Sequence, residues 1–431
     1  MIAIIPAAIV IFSILAYKKW SPIILAPFMA LLTCFVCRLP ALDTMLNTYM
    51  PSVADFVSDN FFIFFLGALF GGVMEVTGAA QSIAVSMSKL TRGKFVLPLI
   101  MTITGILAYG GVAGFVVYFS VYPIALHLCK QANISRALIP GTIYAGCWSW
   151  AMSMPGAPSV PNVMPMKYLG TDSMADAVPG FLFAGLLLYV MVFVYLEWQT
   201  RVYAKRGEAF VMDEHVEKTM ANAKRDHLPN PFLSLIPLAA ILILFNVVGL
   251  AIEFSLLIGV LIGFVLLFRF CSSPGKWLET FNKSASNSAV IILNTAMVIG
   301  FAGVIKATVS FENLVIWLAT LSMPPLVYIA VTVALCAAAA ASASGGIGVA
   351  LTTFQDTYLS MGVAPEVIHR LATVTCGTLD SLPHTGGVCS LLSICHQTHK
   401  EAFLHMFVTC TLMPMIASAG MTSSGTITPH P

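Results

Sequence analysis

Apolar runs long enough to cross a bilayer recur along almost the whole chain, near 1–17, 22–37, 60–82, 95–129, 137–170 and 178–199, and again between 231 and 419. A hydrocarbon core of about 30 Å takes roughly 20 apolar residues in a helix. In lipid, a backbone must satisfy its own N–H and C=O groups, which leaves a polytopic helical membrane protein. Of the 431 residues, 58% are hydrophobic and 9% charged, against about 25% charged in soluble domains. A net charge of +2 without a Lys/Arg-rich patch sets nucleic acid aside as a partner. Met1 to Tyr17 carries its positive charges, Lys18 and Lys19, after the apolar run, the reverse of a secretory signal, so it reads as a retained helix.

The apolar plan is interrupted twice by a similar device. Cys376-Gly-Thr-Leu-Asp-Ser-Leu-Pro-His-Thr-Gly-Gly-Val-Cys-Ser390 breaks one segment, and Ser153-Met-Pro-Gly-Ala-Pro158 breaks an earlier one. Proline removes a backbone donor and disturbs the preceding turn, so 137–170 and 366–396 are expected as broken crossings. Two further segments, 95–129 and 324–360, are cut near Gly110-Gly111 and at Ser342-Ala-Ser-Gly-Gly346, and read as re-entrant hairpins.

Three landmarks recur at similar offsets: Glu75 with Lys306 (306 − 75 = 231), Gly110 with Gly345 (345 − 110 = 235), and Ser153 with Ser381 (381 − 153 = 228). The distribution of Lys and Arg puts the Lys89 cluster at the end of the helix carrying Glu75, and Arg269, Lys276 and Lys283 before the helix carrying Lys306. The expected fold is therefore all-α, with two inverted repeats of about five transmembrane helices, each with a hairpin and a broken helix. That is an architecture of secondary transporters. The repeats are expected at 1–200 and 231–420, joined by a charged cytoplasmic linker at 201–230 and followed by a tail at 421–431. Both termini are placed outside.

A helix break exposes N–H groups that attract anions and carbonyls that attract cations. Ser153, Gly156, Asn162, Ser342, Ser344, Gly345, Gly346, Thr378, Ser381, His384 and Thr385 are the candidate substrate-binding residues, set against the alternative that such hydroxyls join helices to one another. Ionisable groups within membrane segments are costly and usually functional. Asp380 and His384 are the proton-coupling candidates, and Glu75 with Lys306 reads as an inter-repeat ion pair. No metal or cofactor is expected: the ten cysteines are scattered, with Cys34 and Cys37 the only close pair, and His396 with His399 reads as a solvated helix end. A channel would need rings of pore-lining groups and an enzyme a nucleophile–base pair; neither pattern stands out.

The run Asp380-Ser-Leu-Pro-His-Thr-Gly386, with Ser390-Leu-Leu-Ser-Ile-Cys-His-Gln-Thr-His-Lys-Glu401, resembles the gluconate:proton permease family of the ion-transporter superfamily. Leu66-Gly-Ala-Leu-Phe-Gly71 with Glu75, and Pro155-Gly-Ala-Pro158 with Lys167-Tyr-Leu-Gly-Thr171, extend the resemblance into the first half. It implies a homodimeric, elevator-type carrier in a bacterial inner membrane that moves small hydroxy-carboxylates with protons. Thr385 stands where the family commonly has Asn, and Pro-Gly-Ala-Pro where sugar-acid carriers tend to show Pro-His-Pro-Gly. The methionines at 152, 154, 164 and 166 favour a shorter, more apolar acid. The expected function is proton-coupled symport of a small organic carboxylate, with sodium as the alternative coupling ion.

Overall fold

The computed structural model describes residues 4–18, 20–91, 93–109, 114–157, 159–213, 216–217, 228–271 and 273–424, and every regular element among them is helical. The first half runs α1 (Ile4–Tyr17), α2 (Pro22–Cys37), α3 (Ala41–Val76), α4 (Ala79–Thr91), α5 (Val96–Tyr109) and α6 (Gly114–Gln131). It continues with α7 (Leu138–Tyr144, extended by a π-helical turn over Ala145–Ala151), α8 (Val160–Leu169) and α9 (Ala177–Arg206). After the linker come α10 (Pro231–Asn246), α11 (Ile252–Phe270), α12 (Pro274–Lys306), α13 (Val309–Ala319), α14 (Pro325–Ala340), α15 (Ala343–Ser360), α16 (Pro365–Leu379), α17 (Gly386–Ile394) and α18 (His399–Ser423). The order of long, short, paired and interrupted helices is the same in both halves. Among the described residues, five helices, α3, α9, α11, α12 and α18, are long and apolar enough to cross a membrane.

At the centre, α3 and α12 pack antiparallel. Gly300 lies against Tyr49 and Val53, Gly303 against Ser52, and at the other end Gly72 lies against Thr280 and Ser284. A Cβ on Gly300 would come within 2.7 Å of Val53, so the glycines permit the close approach. Around this pair, α5 packs on α6 and on α7, and α14 packs on α15 and α16.

Several boundaries differ from the sequence expectation. The Asp-containing stretch 41–59, which separates the apolar runs at 22–37 and 60–82, is the first half of α3. Its acids Asp43, Asp55 and Asp59 are exposed, while Tyr49 and Val53 are buried against α12, so a helical period lies beneath the polar residues. A π-turn at Met45–Tyr49 precedes Pro51, where the proline's missing donor falls at a helix irregularity. The third helix ends at Val76 rather than near 82, because Thr77 and Gly78 turn the chain, with Gly78 at φ 74°. The helix carrying Lys306 begins at Pro274, so Lys276 and Lys283, expected before it, lie within it. In the second hairpin the cut lies at Ala341 (φ 50°) and Ser342. Gly345 and Gly346 belong to the first turn of α15, where Ser342 Oγ caps Gly345 N at 3.2 Å and Gly346 sits against the Ala337 backbone. The first hairpin's expected tip, Gly110-Gly111, and residues 214–215 and 218–227 of the linker lie outside the described residues.

Candidate functional site

Helix α16 stops at Leu379, and Pro383 prevents its direct continuation into α17. The break, Asp380 to Thr385, lies against the break of the second hairpin. Asp380 is buried; the Ser381 hydroxyl donates to its Oδ1 at 3.1 Å, and the Ala343 backbone N–H at the start of α15 points at the same carboxyl. Between the two breaks is a cavity of about 190 Å³, lined by Ser342, Ser344, Asp380, Gly386 and Gly387 and walled by Tyr144, Trp148, Phe56, Phe115, Thr295 and Ile299. A Cβ on Gly387 would be 2.9 Å from the Tyr144 hydroxyl, so the second glycine keeps this space open. The cavity thus places a carboxyl, two serine hydroxyls and the N-terminal end of α15 among aromatic rings. That combination suits a small polar anion.

Other expected site residues lie elsewhere. His384 is buried in packing: its Nε2 donates to the Ala338 carbonyl at 2.9 Å, its ring stands edge-on to Phe12, and its Nδ1 has no partner among the described residues. The hydroxyl of Thr378 donates to the Thr375 carbonyl at 2.6 Å and that of Thr385 to the Leu382 carbonyl at 2.9 Å. His399, expected at a solvated helix end, is buried and donates through Nε2 to the Pro383 carbonyl at 2.9 Å, buttressing the break from outside. His396 is exposed.

In the first break, Ser153, Gly156 and Asn162 are organised around Arg370, a residue of α16 that the sequence reading did not single out. The guanidinium is fully buried. It donates from Nε to Ala175 O (3.0 Å), from Nη1 to Ser153 O (3.2 Å) and Asn162 Oδ1 (2.9 Å), and from Nη2 to Ser173 O (2.9 Å). Neighbouring His369 lies between Asn162 Oδ1 (3.1 Å) and the Thr171 hydroxyl (2.7 Å). Gly156, at φ 80°, donates its N–H to Ser173 O at 2.8 Å. The chain's own cation therefore ties the Ser153 carbonyl of the first break to the Ser173 and Ala175 carbonyls of the turn before α9. The available signal was an arginine inside an apolar segment; its acceptors, mostly backbone carbonyls, leave none in the sequence.

The expected Glu75–Lys306 ion pair does not form. Glu75 ends α3 and Lys306 ends α12, and the two helices run antiparallel. Lys306 is 22 residues (306 − 284) beyond Ser284, the α12 contact of Gly72, or about 33 Å along the helix. Glu75 Oε1 instead lies 3.2 Å from His127 Nε2 on α6, with both side chains buried. Lys306 reaches the second hairpin, where a Cβ on Gly345 would come within 3.3 Å of its Nζ.

An all-helical chain with helices of membrane-crossing length and a small polar cavity at paired helix breaks has the form of a multi-pass transporter. No family model matches the sequence. The chain is 30% identical over 440 residues to YxjC, an uncharacterized transporter of Bacillus subtilis, covering 91% of this chain and 92% of that protein. An uncharacterized transporter of Haemophilus influenzae is 26% identical over 329 residues, covering 73% of this chain and 72% of its own. This chain belongs to the transporter family that includes YxjC.

Proposed function

We propose that this protein is a secondary carrier of the gluconate:proton permease type, moving a small hydroxy-carboxylate together with protons across a bacterial inner membrane. The observation that carries the reading is Asp380. It lines a cavity otherwise furnished for an anion, with Ser342, Ser344 and the start of α15. Two carboxylates cannot share a small, poorly hydrated space at low cost. A proton on Asp380 removes the repulsion and turns that carboxyl into a hydrogen-bond donor for the substrate. Of the two proton-coupling candidates, Asp380 faces the cavity, whereas His384 is engaged with Ala338 O and is not among its lining residues.

The antiparallel α3–α12 pair, each helix at the same place in its half, supports an inverted repeat. In this reading the hairpins and broken helices move as one unit against that pair in each protomer of a homodimer, and both termini lie outside. The cavity volume of about 190 Å³ and its aromatic walls support a short acid.

Uptake of labelled short hydroxy acids into vesicles containing the purified protein provides the test. An inward proton gradient accelerates uptake by the parent, and Asp380→Asn abolishes that acceleration. Uptake driven by sodium alone and indifferent to pH would replace the proton with sodium in this scheme, and single-channel conductance would overturn the carrier itself.

A further inference from the structure

The cavity between the breaks has a neighbour along the same three helices. A second cavity, of about 140 Å³, is lined by Glu75, Phe119, Tyr122, Lys283, Asn287 and His396, among others. On α6, Phe119 of this cavity is one turn from Phe115 of the first, and on α12 Ile291 is one turn from Thr295. The two spaces are stacked along the boundary between the long-helix pair and the hairpin–break elements. Phe64, Phe115 and Phe119 pack together there, with the Phe64 and Phe115 ring centres 4.7 Å apart.

At this boundary Glu75 is 9% exposed and His127 4% exposed. Glu75 Oε1 lies 3.2 Å from His127 Nε2, and Glu75 Oε2 has no hydrogen-bond partner among the described residues. Glu75 belongs to the long-helix pair and His127 to the first hairpin, so the contact spans the two units that the proposed cycle moves past each other.

We propose that the Glu75–His127 pair is a second proton-binding site, filled from the cavity that Glu75 lines. This inference rests on the carrier reading above for its role in transport, though not for the binding of the proton. Without the proton, the pair is a carboxylate and a neutral imidazole, with net charge −1. A proton from cavity water brings the net charge to zero, whichever of the two groups holds it. The loaded pair can separate as a carboxylic acid and a neutral imidazole, at the cost of one hydrogen bond. The unloaded pair would leave a carboxylate alone in a low-dielectric boundary, which is far costlier. Hairpin movement is thereby conditional on proton loading.

The other charged and titratable groups facing this place are few. Tyr122 on α6 donates to Cys395 O at 3.1 Å, and the Arg136–Asp213 ion pair lies beyond it. Lys283 on α12 and His396 after α17 line the same cavity. The helices packed behind, α4 and α11, bring Lys89 and Arg269, both exposed, and Glu253, ten residues (263 − 253) from the Gly263–Val73 contact.

Two measurements test the proposal. In substrate-free purified protein, infrared difference spectra across a pH step are expected to contain a carboxylic-acid C=O band or a loss of carboxylate and gain of imidazolium bands, either of which Glu75→Gln and His127→Asn alter. In vesicles, the number of protons entering per substrate is expected to fall by one in Glu75→Gln, with substrate exchange at equal pH retained. His127→Asn, which keeps a polar group of similar size, guards against misfolding of the glutamine variant. Spectra that are identical in the parent and both variants would overturn the proton site. An unchanged proton-to-substrate ratio in both variants would overturn its part in coupling. If the parent takes up no carboxylate, the carrier reading fails, and the infrared result still decides whether the pair binds a proton.

Discussion

Replacing Arg370 should separate the two halves' shared scaffolding from the transport chemistry. Arg370→Ala removes the donor for the carbonyl of Ser153 at the first break, for those of Ser173 and Ala175 in the turn after α8, and for Asn162 Oδ1. Each acceptor stranded without a donor costs about 1–3 kcal/mol, and relief from burying the charge returns part of that sum. The net expectation is the cost of breaking a buried charged network by removing one member, about 3–5 kcal/mol. Arg370→Lys keeps the charge, but an ammonium has three donors and no planar fork. It strands at least one acceptor and should cost roughly 1–3 kcal/mol. Thermal and denaturant unfolding of the purified full-length protein, followed by tryptophan fluorescence, reads the order parent, Lys, Ala. Because Asn162 shares its Oδ1 between Arg370 and His369, Asn162→Ala and Arg370→Ala should be clearly non-additive in a double-mutant cycle. Equal unfolding of the parent and Arg370→Ala, or strict additivity in the cycle, would refute the account of a guanidinium locking the first break.

Further expectations follow from the same geometry. Gly346→Ala places a Cβ within 2.7 Å of Ala337 Cβ and closer still to its backbone; overpacking of this kind costs about 1–3 kcal/mol, visible as a lowered unfolding temperature. His384→Ala should lower stability by removing the bond to Ala338 O while leaving the pH dependence of uptake in shape, whereas Asp380→Asn should flatten it; uptake measured across a pH series compares them. Asp213→Asn leaves the buried Arg136 guanidinium without its carboxylate and should be destabilising, by more than the roughly 1 kcal/mol of an exposed pair, in the same unfolding assay. Thr398→Ala removes one side of the capping box with Glu401 at the start of α18 and should cost about 1 kcal/mol.

The sequence exposes the parts of the fold that depend on composition and proline. Apolar length shows most of the helices, and Pro155 and Pro383 mark the two breaks. The helical nature of 41–59 is hidden because Asp43, Asp55 and Asp59 on its outer face outweigh Tyr49 and Val53 on its packed face. In the wall of the cavity between the breaks, Ser342, Ser344 and Asp380 were legible as polar residues at interruptions. The partner of Glu75 was not, because an equivalent position in the other half says nothing about distance once the two helices run antiparallel. Arg370 escaped for a related reason: three of its acceptors are carbonyls of Ser153, Ser173 and Ala175, and every residue type carries a carbonyl.

The α3–α12 pair takes one helix from each half of the chain, so neither half completes its interior without the other. In assembly terms, the halves are expected to act as two subunits whose covalent link is the charged segment after α9. The link's contribution is effective concentration: it makes their encounter intramolecular. Severed there and produced together, the two pieces should still find each other through the glycine-lined seam, with recovery that depends on how much of each is made.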